Sequence, residues 1–336
     1  MKLVIPEYYE RFACKGGMCT DNCCIGWEID IDPVTLKKYE IADADMRGRL
    51  SDGICKDGDS AHFKLDKGRC PFLNKENLCD IIIKLGETSL CDICREHPRY
   101  YLALDDTVYS GVGLCCEAAA ELILTAKAPP EYVMRDGFDG EFEECDGELR
   151  QIVFEAKDRI LKKTASSLSV SALLSEAYRI VKEAQMRIDG DFYEEISEAV
   201  PSDICGELIS FFSAVEYRRA ELLHMITGAL RGKKRSLGDV AVSYLKNIFV
   251  YFIDRYLPQA ACDGDIVAKF AIPALSVAVI AAIFAEEESL TLARAVDISK
   301  SYSSEIEYNE ENIALIEESA RCGLLHNALV LISEYS

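Results

Sequence analysis

The chain has 336 residues, a length that allows one large domain or two of ordinary size. Its hydrophobic content of 49% is enough to build a core, which excludes a largely disordered chain. The net charge of −21, from 37 Lys and Arg against 58 Asp and Glu, argues against non-specific binding of nucleic acid. The same charge opposes contact with an anionic membrane and favours encounter with a basic, lysine-bearing protein.

The chain start and the longest apolar run both predict a protein outside membranes. Glu7 and Arg11 follow the first residues so closely that no apolar signal-peptide core forms. The run 271–285 contains Pro273 and is shorter than a membrane-spanning helix requires, so we predict a buried core helix. We therefore expect a cytoplasmic protein whose thiols are kept reduced.

The cysteines concentrate at one end of the sequence. Eleven of the 15 lie at or before Cys116, and the other four are scattered singly. Scattered cysteines are typical of small buried apolar residues, whereas clustered ones in a reduced protein indicate ligands. Residues 1–128 are therefore predicted to be an irregular cysteine-rich region, held together by a bound metal or cluster.

Two blocks carry the predicted ligands. The first, residues 14–27, places four thiols among Gly16, Gly17 and Gly26, which allow the tight turns that converging thiolates need. The second, residues 70–99, contains the spacing Cys-x-x-Cys, common to zinc and iron–sulfur sites. The predicted metal ligands are Cys14, Cys19, Cys23, Cys24, Cys70, Cys79, Cys91, Cys94 and Cys115.

The identity of the metal stays open at this point, because all-thiolate coordination suits both zinc and an iron–sulfur cluster. The pair Cys91 and Cys94 is also compatible with a redox dithiol, although the strand–helix alternation of a thioredoxin-like fold is missing around it. We interpret His97, which precedes Pro98, as a surface or core histidine rather than a ligand.

Residues 129–148 are acidic and rich in Gly and Pro, and we predict a linker there. Beyond them, helical periodicity predicts an α-helical domain over 149–336, so the fold class is mainly α. Ser169, Ser202, Ser236 and Asn309 are predicted N-caps, and Gly228 and Gly232 are predicted to mark the end of the fourth helix. The predicted helices are 149–164, 170–187, 191–199, 203–230, 237–257, 264–286, 289–300 and 309–334.

At the two cysteine blocks the chain resembles the flagellin lysine-N-methylases. The resemblance covers residues 8–122 strongly and the helical half weakly. It rests on these motifs: Tyr8-Tyr9-x-x-Phe12-x-Cys14, Cys19-x-Asp21-x-Cys23-Cys24-x-Gly26-Trp27, Cys70-Pro71-Phe72-Leu73, Leu90-Cys91, Cys94-Arg95 and His97-Pro98-Arg99. Cys-Cys followed by Cys-Pro-Phe-Leu also occurs in a wider group of small proteins described as zinc- or iron-chelating domains.

In the helical half, the stretch Asn247-x-x-Val250-Tyr251-x-x-x-Arg255 is similar to a helix of that family. Around Glu307, family members usually carry an arginine and a histidine where this chain has Ser304 and Tyr308. The resemblance implies transfer of a methyl group from S-adenosylmethionine to lysine side chains of a protein, with flagellin as one candidate substrate. The glycine pattern of a dinucleotide site is missing at Gly111 and Gly113, so the donor site is not identified.

Methyl transfer requires the lysine ammonium to lose a proton and to be aligned with the methyl carbon. An acidic or tyrosine-lined pocket would attract that lysine, so Tyr251, Glu307 and Tyr308 are the candidate catalytic residues. Each has a simpler reading: the tyrosines as core-edge residues and Glu307 as a charge at a helix start. Two other functions remain open, a non-catalytic metal binder that docks a partner and an iron–sulfur redox protein.

Overall fold

The computed structural model describes residues 1–58, 60–137, 145–190 and 203–335. Helix makes up 61% and strand 11% of it, which confirms the predicted mainly α fold. The chain forms two compact units. The helical unit comprises Met1–Arg11, Tyr101–Cys115 and Ala119–Ser336, and the cysteine unit comprises Phe12–Tyr100 and Cys116–Ala118. The domain limits 1–128 and 149–336 stay a prediction.

The strands are β1 Lys2–Pro6, β2 Ile54–Asp57, β3 Ser60–Phe63, β4 Arg99–Leu104, β5 Thr107–Val112 and β6 Tyr132–Asp136. The α-helices of the first half are α1 Pro33–Glu40, α2 Ala44–Gly53, α3 Asp80–Leu85, α4 Asp92–Glu96, α5 Glu117–Leu124 and α6 Gly147–Thr164. Those of the second half are α7 Val170–Asp189, α8 Ile204–Ala214, α9 Glu221–Arg231, α10 Asp239–Tyr256, α11 Ala260–Asp263, α12 Ile266–Glu286, α13 Leu292–Tyr302, α14 Glu310–Ser319 and α15 Leu324–Ser333.

A four-stranded mixed sheet with the order β4-β5-β1-β6 was not predicted. Strand β1 runs parallel to β5 and antiparallel to β6. The assignment of residues 132–136 to a linker was therefore wrong, because these residues pair with Lys2–Pro6, far away in sequence. Such pairing is not visible in a local pattern. Residues 138–144 of the predicted linker lie outside the described residues.

Helix α12 forms the centre of the helical unit. It packs against α9, α10, α13, α14 and α15, and nearly all of its residues are buried. Among the described residues it is the helix long and apolar enough to cross a membrane by length and composition. The expectation that its apolar run is too short to do so was therefore wrong. Its burial inside the unit agrees with the prediction of a core helix.

Several predicted helix limits are confirmed by their caps. The hydroxyl of Ser169 accepts a hydrogen bond from the amide of Ala172 and starts α7. The side chain of Asn309 caps α14, and Gly232 ends α9. The expected end at Gly228 was wrong, because this residue lies inside α9. The expected cap at Ser236 was wrong, because α10 begins after Gly238. The predicted helix 191–199 and the cap at Ser202 lie outside the described residues.

Two predicted long helices are each broken in two. The helix 203–230 is interrupted between α8 and α9, where the amides of Arg218 and Arg219 donate to the carboxylate of Glu305 instead of to the preceding turn. The amide of Glu216 donates in the same way to Asn312, 3.0 Å away. The helix 309–334 is broken at Gly323, whose φ of 99° is left-handed.

The cysteine unit has a small core of its own, formed by side chains from α1, α2, β3 and the loops around them. The rings of Phe63 and Phe72 meet edge to face, with centroids 5.2 Å apart. Gly53 is required beside them, because a Cβ there would lie 2.9 Å from the Phe72 ring. Cys70 and Cys91 belong to this core, and the predicted ligands that pack against it are Cys24, Cys79 and Cys94.

Candidate functional site

The three predicted catalytic residues come together inside the helical unit. Tyr251 lies on α10, and Glu307 ends a π-helical turn, Ser303–Glu307, that directly follows α13. The Tyr251 hydroxyl donates to Glu307 Oε1 over 2.6 Å. Tyr308 follows in the chain, and its hydroxyl lies 3.2 Å from Arg255, which also contacts Tyr251. The sequence therefore identified residues that form one cluster.

Arg255 links the members of this cluster and was not among the predicted site residues. Its Nε lies 3.1 Å from Glu307 Oε1, and its NH1 donates to the hydroxyls of Tyr251 and Tyr308. The guanidinium also lies over the Tyr308 ring, 4.8 Å from the centroid. Burial, the largest single influence, would lower the pKa of Arg255, but Glu307 together with the neighbouring tyrosines outweighs it and raises the pKa well above its ordinary value. Its i+4 spacing from Tyr251 was the available sequence signal.

The cluster is closed by neighbours from separate parts of the helical unit. The hydroxyl of Ser303 donates to the other carboxylate oxygen of Glu307, Oε2. The backbone amide of Leu114 donates to the Tyr251 hydroxyl over 3.1 Å. The Tyr308 hydroxyl hydrogen-bonds with the thiol of Cys115, and burial first and then Cys115 raise the pKa of Tyr308. The chain segment of Leu114 and Cys115 is thus in contact with the cluster.

These contacts define what the cluster can do chemically. The Glu307 side chain is fully buried, and Tyr251, Arg255 and Ser303 engage its two oxygens. The charge is thereby paired and hydrogen-bonded, as a buried carboxylate requires. The simpler reading of Glu307 as a helix-start charge does not describe this arrangement, because Asn309 caps α14. The cluster is a preorganised polar group in which three side chains hold one buried carboxylate.

The cysteine unit gathers eight of the nine predicted metal ligands; Cys115 belongs to the helical unit. Gly16 and Gly26 have φ of 55° and 81°, which confirms the predicted tight turns. At Gly17 a Cβ would lie 2.6 Å from the carbonyl oxygen of Glu76, so only glycine fits there. The loop is fastened further by Glu117, which accepts from the amide and the hydroxyl of Thr20 over 2.8 and 2.6 Å.

Two pairs of thiols in this unit, Cys23 with Cys24 and Cys91 with Cys94, shift each other's pKa in opposite directions. The hydrogen bond from Cys24 lowers the pKa of Cys23 despite burial, and His97 lowers it further. The hydrogen bond from Cys94 likewise lowers the pKa of Cys91. The bond to Cys23 and burial raise the pKa of Cys24 in turn. Each pair therefore holds one thiol ready to ionise, the form that binds metal.

Burial is the main influence on the pKa of the other thiols around these pairs. It raises the pKa of Cys70 to about 11 and that of Cys19 to about 12, and it also raises the pKa of Cys79. His97, which we had interpreted as a surface or core histidine, lies near enough to Cys23 to lower the pKa of that thiol, and its buried Nε2 has no hydrogen-bond partner among the described residues. Its position three residues after Cys94 was the signal that could have identified it.

We tested whether these donors suit a metal centre. Their chemistry fits, because thiols and an imidazole are the ligands that zinc and iron–sulfur clusters take. Their placement is incomplete: among the described residues, no three or more His, Cys, Asp or Glu side chains form a group that could hold a metal ion. The assignment of the nine cysteines as ligands stays a prediction.

Comparison with known proteins supplies the family. Over 126 residues, 35% of this chain, the sequence is 33% identical to the flagellar biosynthetic protein FliU of Salmonella muenchen, and the match covers 75% of that protein. Over 126 residues it is 33% identical to the lysine-N-methylase of Salmonella typhimurium and 32% identical to that of Salmonella choleraesuis. The chain belongs to the flagellin lysine-N-methylase family.

The match spans 31% of the length of each of the two lysine-N-methylases, so most of those proteins lies outside it. No protein family profile matches the chain. No solved structure matches it. The family therefore rests on sequence similarity to these relatives.

Proposed function

We propose that this chain takes part in methyl transfer to lysine side chains of a protein, with S-adenosylmethionine as donor and flagellin as the first candidate substrate. The observation that carries this proposal is the similarity to two lysine-N-methylases and to FliU. The same relationship does not favour the two alternatives, a non-catalytic metal binder and an iron–sulfur redox protein.

The reaction sets two requirements for the protein. The methyl carbon leaves the sulfonium sulfur of the donor and bonds to the neutral lysine nitrogen, so the ammonium must first give up a proton. The two reactants must also be held in line. We assign the first task to the cluster of Tyr251, Glu307 and Tyr308. A hydroxyl bonded to a carboxylate at 2.6 Å supports this assignment, because the pair can accept a proton and share it.

The charge of the chain suits a lysine-bearing partner. A net charge of −21 attracts a basic protein surface and raises the rate of encounter at low ionic strength. This attraction acts over the whole surface and does not select one lysine. The choice of target would then depend on the shape of the partner around the lysine.

We further propose that thiols of the cysteine unit, drawn from Cys14, Cys19, Cys23, Cys24, Cys70, Cys79, Cys91 and Cys94, hold an iron–sulfur cluster or a zinc ion. The packing of Cys24, Cys79 and Cys94 against the small core that contains Cys70 and Cys91 supports this. When bound, the metal would fix loops whose own core is small. No step of methyl transfer is assigned to it.

Methyl transfer is tested directly. The purified full-length chain is incubated with flagellin and isotopically labelled S-adenosylmethionine, and label on lysine is measured by peptide mass spectrometry. We expect labelled lysines with the native chain and loss of most label with Tyr251→Phe that retains its native circular dichroism. Absence of label on flagellin and on other lysine-rich proteins, from a protein shown to be folded, would contradict the function.

The metal proposal has its own readout. Protein purified without air is analysed for iron, zinc and acid-labile sulfide, together with its visible spectrum. Iron and sulfide in near-equal amounts would establish a cluster, and zinc without colour would establish a structural zinc site. We expect Cys23→Ser and Cys91→Ser to lower solubility and folding as well as activity. A stably folded variant that loses only turnover would contradict a structural role for these thiols.

A further inference from the structure

Two cysteines outside the cysteine-rich third meet in the helical unit. The sulfurs of Cys145 and Cys262 lie 4.0 Å apart, although the residues are far apart in sequence. Cys145 directly precedes Asp146, whose side chain caps α6, and Cys262 lies in α11, which packs against α6. This contact could not be predicted from local sequence patterns, because both cysteines occur singly.

The two sulfurs are neighbours but are not bonded. A disulfide needs the sulfurs about 2.05 Å apart, so closing the contact requires an approach of about 2 Å, which rotation about the side-chain bonds can supply. The backbone on the Cys145 side is held in place, since its amide donates to Asp105 over 3.1 Å. Cys262 is exposed and Cys145 is half-buried, so a small disulfide in solution can reach them.

We propose that Cys145 and Cys262 form a reversible disulfide by exchange with a low-molecular-weight disulfide such as oxidised glutathione. One cysteine, as the thiolate, attacks the external disulfide and releases one thiolate from it. The second cysteine then displaces the other half. Two cysteine sulfurs are oxidised, the external disulfide is reduced to two thiols, and the two cysteine protons pass to those thiols.

The bond would have a defined structural effect. It would join the start of α6 to the segment that follows α10, the helix that carries Tyr251 and Arg255. It would also close a loop that contains α6 to α10, which restricts the unfolded chain and raises the temperature of unfolding. The pair is thus a modification site separate from the clustered thiols of the cysteine unit.

The test uses the full-length chain in glutathione buffers of increasing oxidised fraction. The mixture is quenched with acid and alkylated, and peptides are mapped without reduction. We expect the peptides of Cys145 and Cys262 to be joined, and this link to form at least about tenfold more readily in the folded chain than in urea, because folding holds the thiols together. A link that forms equally well in the unfolded chain would overturn the proposal.

Two variants serve as controls. In Cys262→Ser, Cys145 should take up a single glutathione, and the oxidative rise in unfolding temperature should disappear. In Cys322→Ser, which removes another exposed thiol, the link should form as in the native chain. Separate glutathione adducts on Cys145 and Cys262 in the folded native chain would also overturn the proposal.

Discussion

The guanidinium of Arg255 and the carboxylate of Glu307 form an ion pair in the interior of the helical unit, with 3.1 Å between Nε and Oε1. The Glu307 side chain is fully buried, and the Arg255 side chain keeps 15% of its exposure. A pair of this kind gains little net stability from its charges, but each charge depends strongly on the other. Around this pair Tyr251, Ser303 and Tyr308 are held in fixed positions.

Glu307→Gln should therefore destabilise the helical unit markedly. The substitution keeps the shape of the side chain but leaves the buried guanidinium of Arg255 without its counter-charge, at a cost of about 3–5 kcal/mol. Urea unfolding followed by circular dichroism measures this. Glu183→Gln, at the exposed pair with Arg159, is the matched control and should change the midpoint little. Equal effects of the two variants would contradict the structural importance of the pair.

The two tyrosines of the cluster should differ in importance. The Tyr251 hydroxyl contacts Glu307, Arg255 and the amide of Leu114, whereas the Tyr308 hydroxyl contacts Arg255 and Cys115. Tyr251→Phe leaves a buried amide and a carboxylate oxygen without that partner, which costs about 1–3 kcal/mol. Tyr308→Phe should cost less. Thermal unfolding of both variants decides the order, and a larger loss for Tyr308→Phe would refute it.

A second buried ion pair lies in a ring of aromatic residues. Lys157 Nζ lies 2.9 Å from Asp254 and faces the ring of Tyr132, 5.3 Å from its centroid. Tyr132 also donates to Asp254 over 2.6 Å. Lys157→Met should destabilise the chain by about 3 kcal/mol, because it leaves the Asp254 charge unpaired. The double variant with Asp254→Asn should recover part of that loss in a denaturation experiment. Strictly additive losses would show that the two groups do not interact.

The acid stability of α12 should depend on Asp265. Burial would raise the pKa of this carboxyl, but the ion pair with Arg321 and the amide of Ala268 outweigh it and lower the pKa below its ordinary value. A lowered pKa in the folded state means that the stabilisation is complete above the unfolded pKa of about 3.9 and is lost as the pH falls below it.

Asp265→Asn should therefore lower the unfolding temperature at neutral pH, and its difference from the native chain should shrink as the pH falls from about 5 to about 3. Differential scanning calorimetry across this range is the measurement. Asp265→Ala, which also removes the hydrogen bond to Ala268, should lose more at every pH. A difference that stays constant down to the lowest pH would contradict a role for the ionised carboxylate.

The sequence was sufficient wherever the determining signal was local. Periodic apolar residues placed α7, α10 and α12 within a few residues, and Ser169 and Asn309 marked helix starts. The clustered cysteines and their glycines, together with the family motifs, indicated both the family and the tight turns at Gly16 and Gly26. These features depend on neighbours in the chain and are therefore readable from it.

Only the tertiary structure decided the features that depend on residues far apart in sequence. The side chains of Glu305 and Asn312 accept hydrogen bonds from backbone amides of the segment between α8 and α9. These bonds interrupt what the apolar periodicity predicted to be one continuous helix. Strand β6 exists because β1 pairs with it, and Arg255 reaches Glu307 because α10 packs next to the π-helical turn. A buried backbone amide must find a hydrogen-bond acceptor, and a distant side chain can replace the carbonyl of the preceding helical turn. Which side chain lies near enough depends on the whole fold.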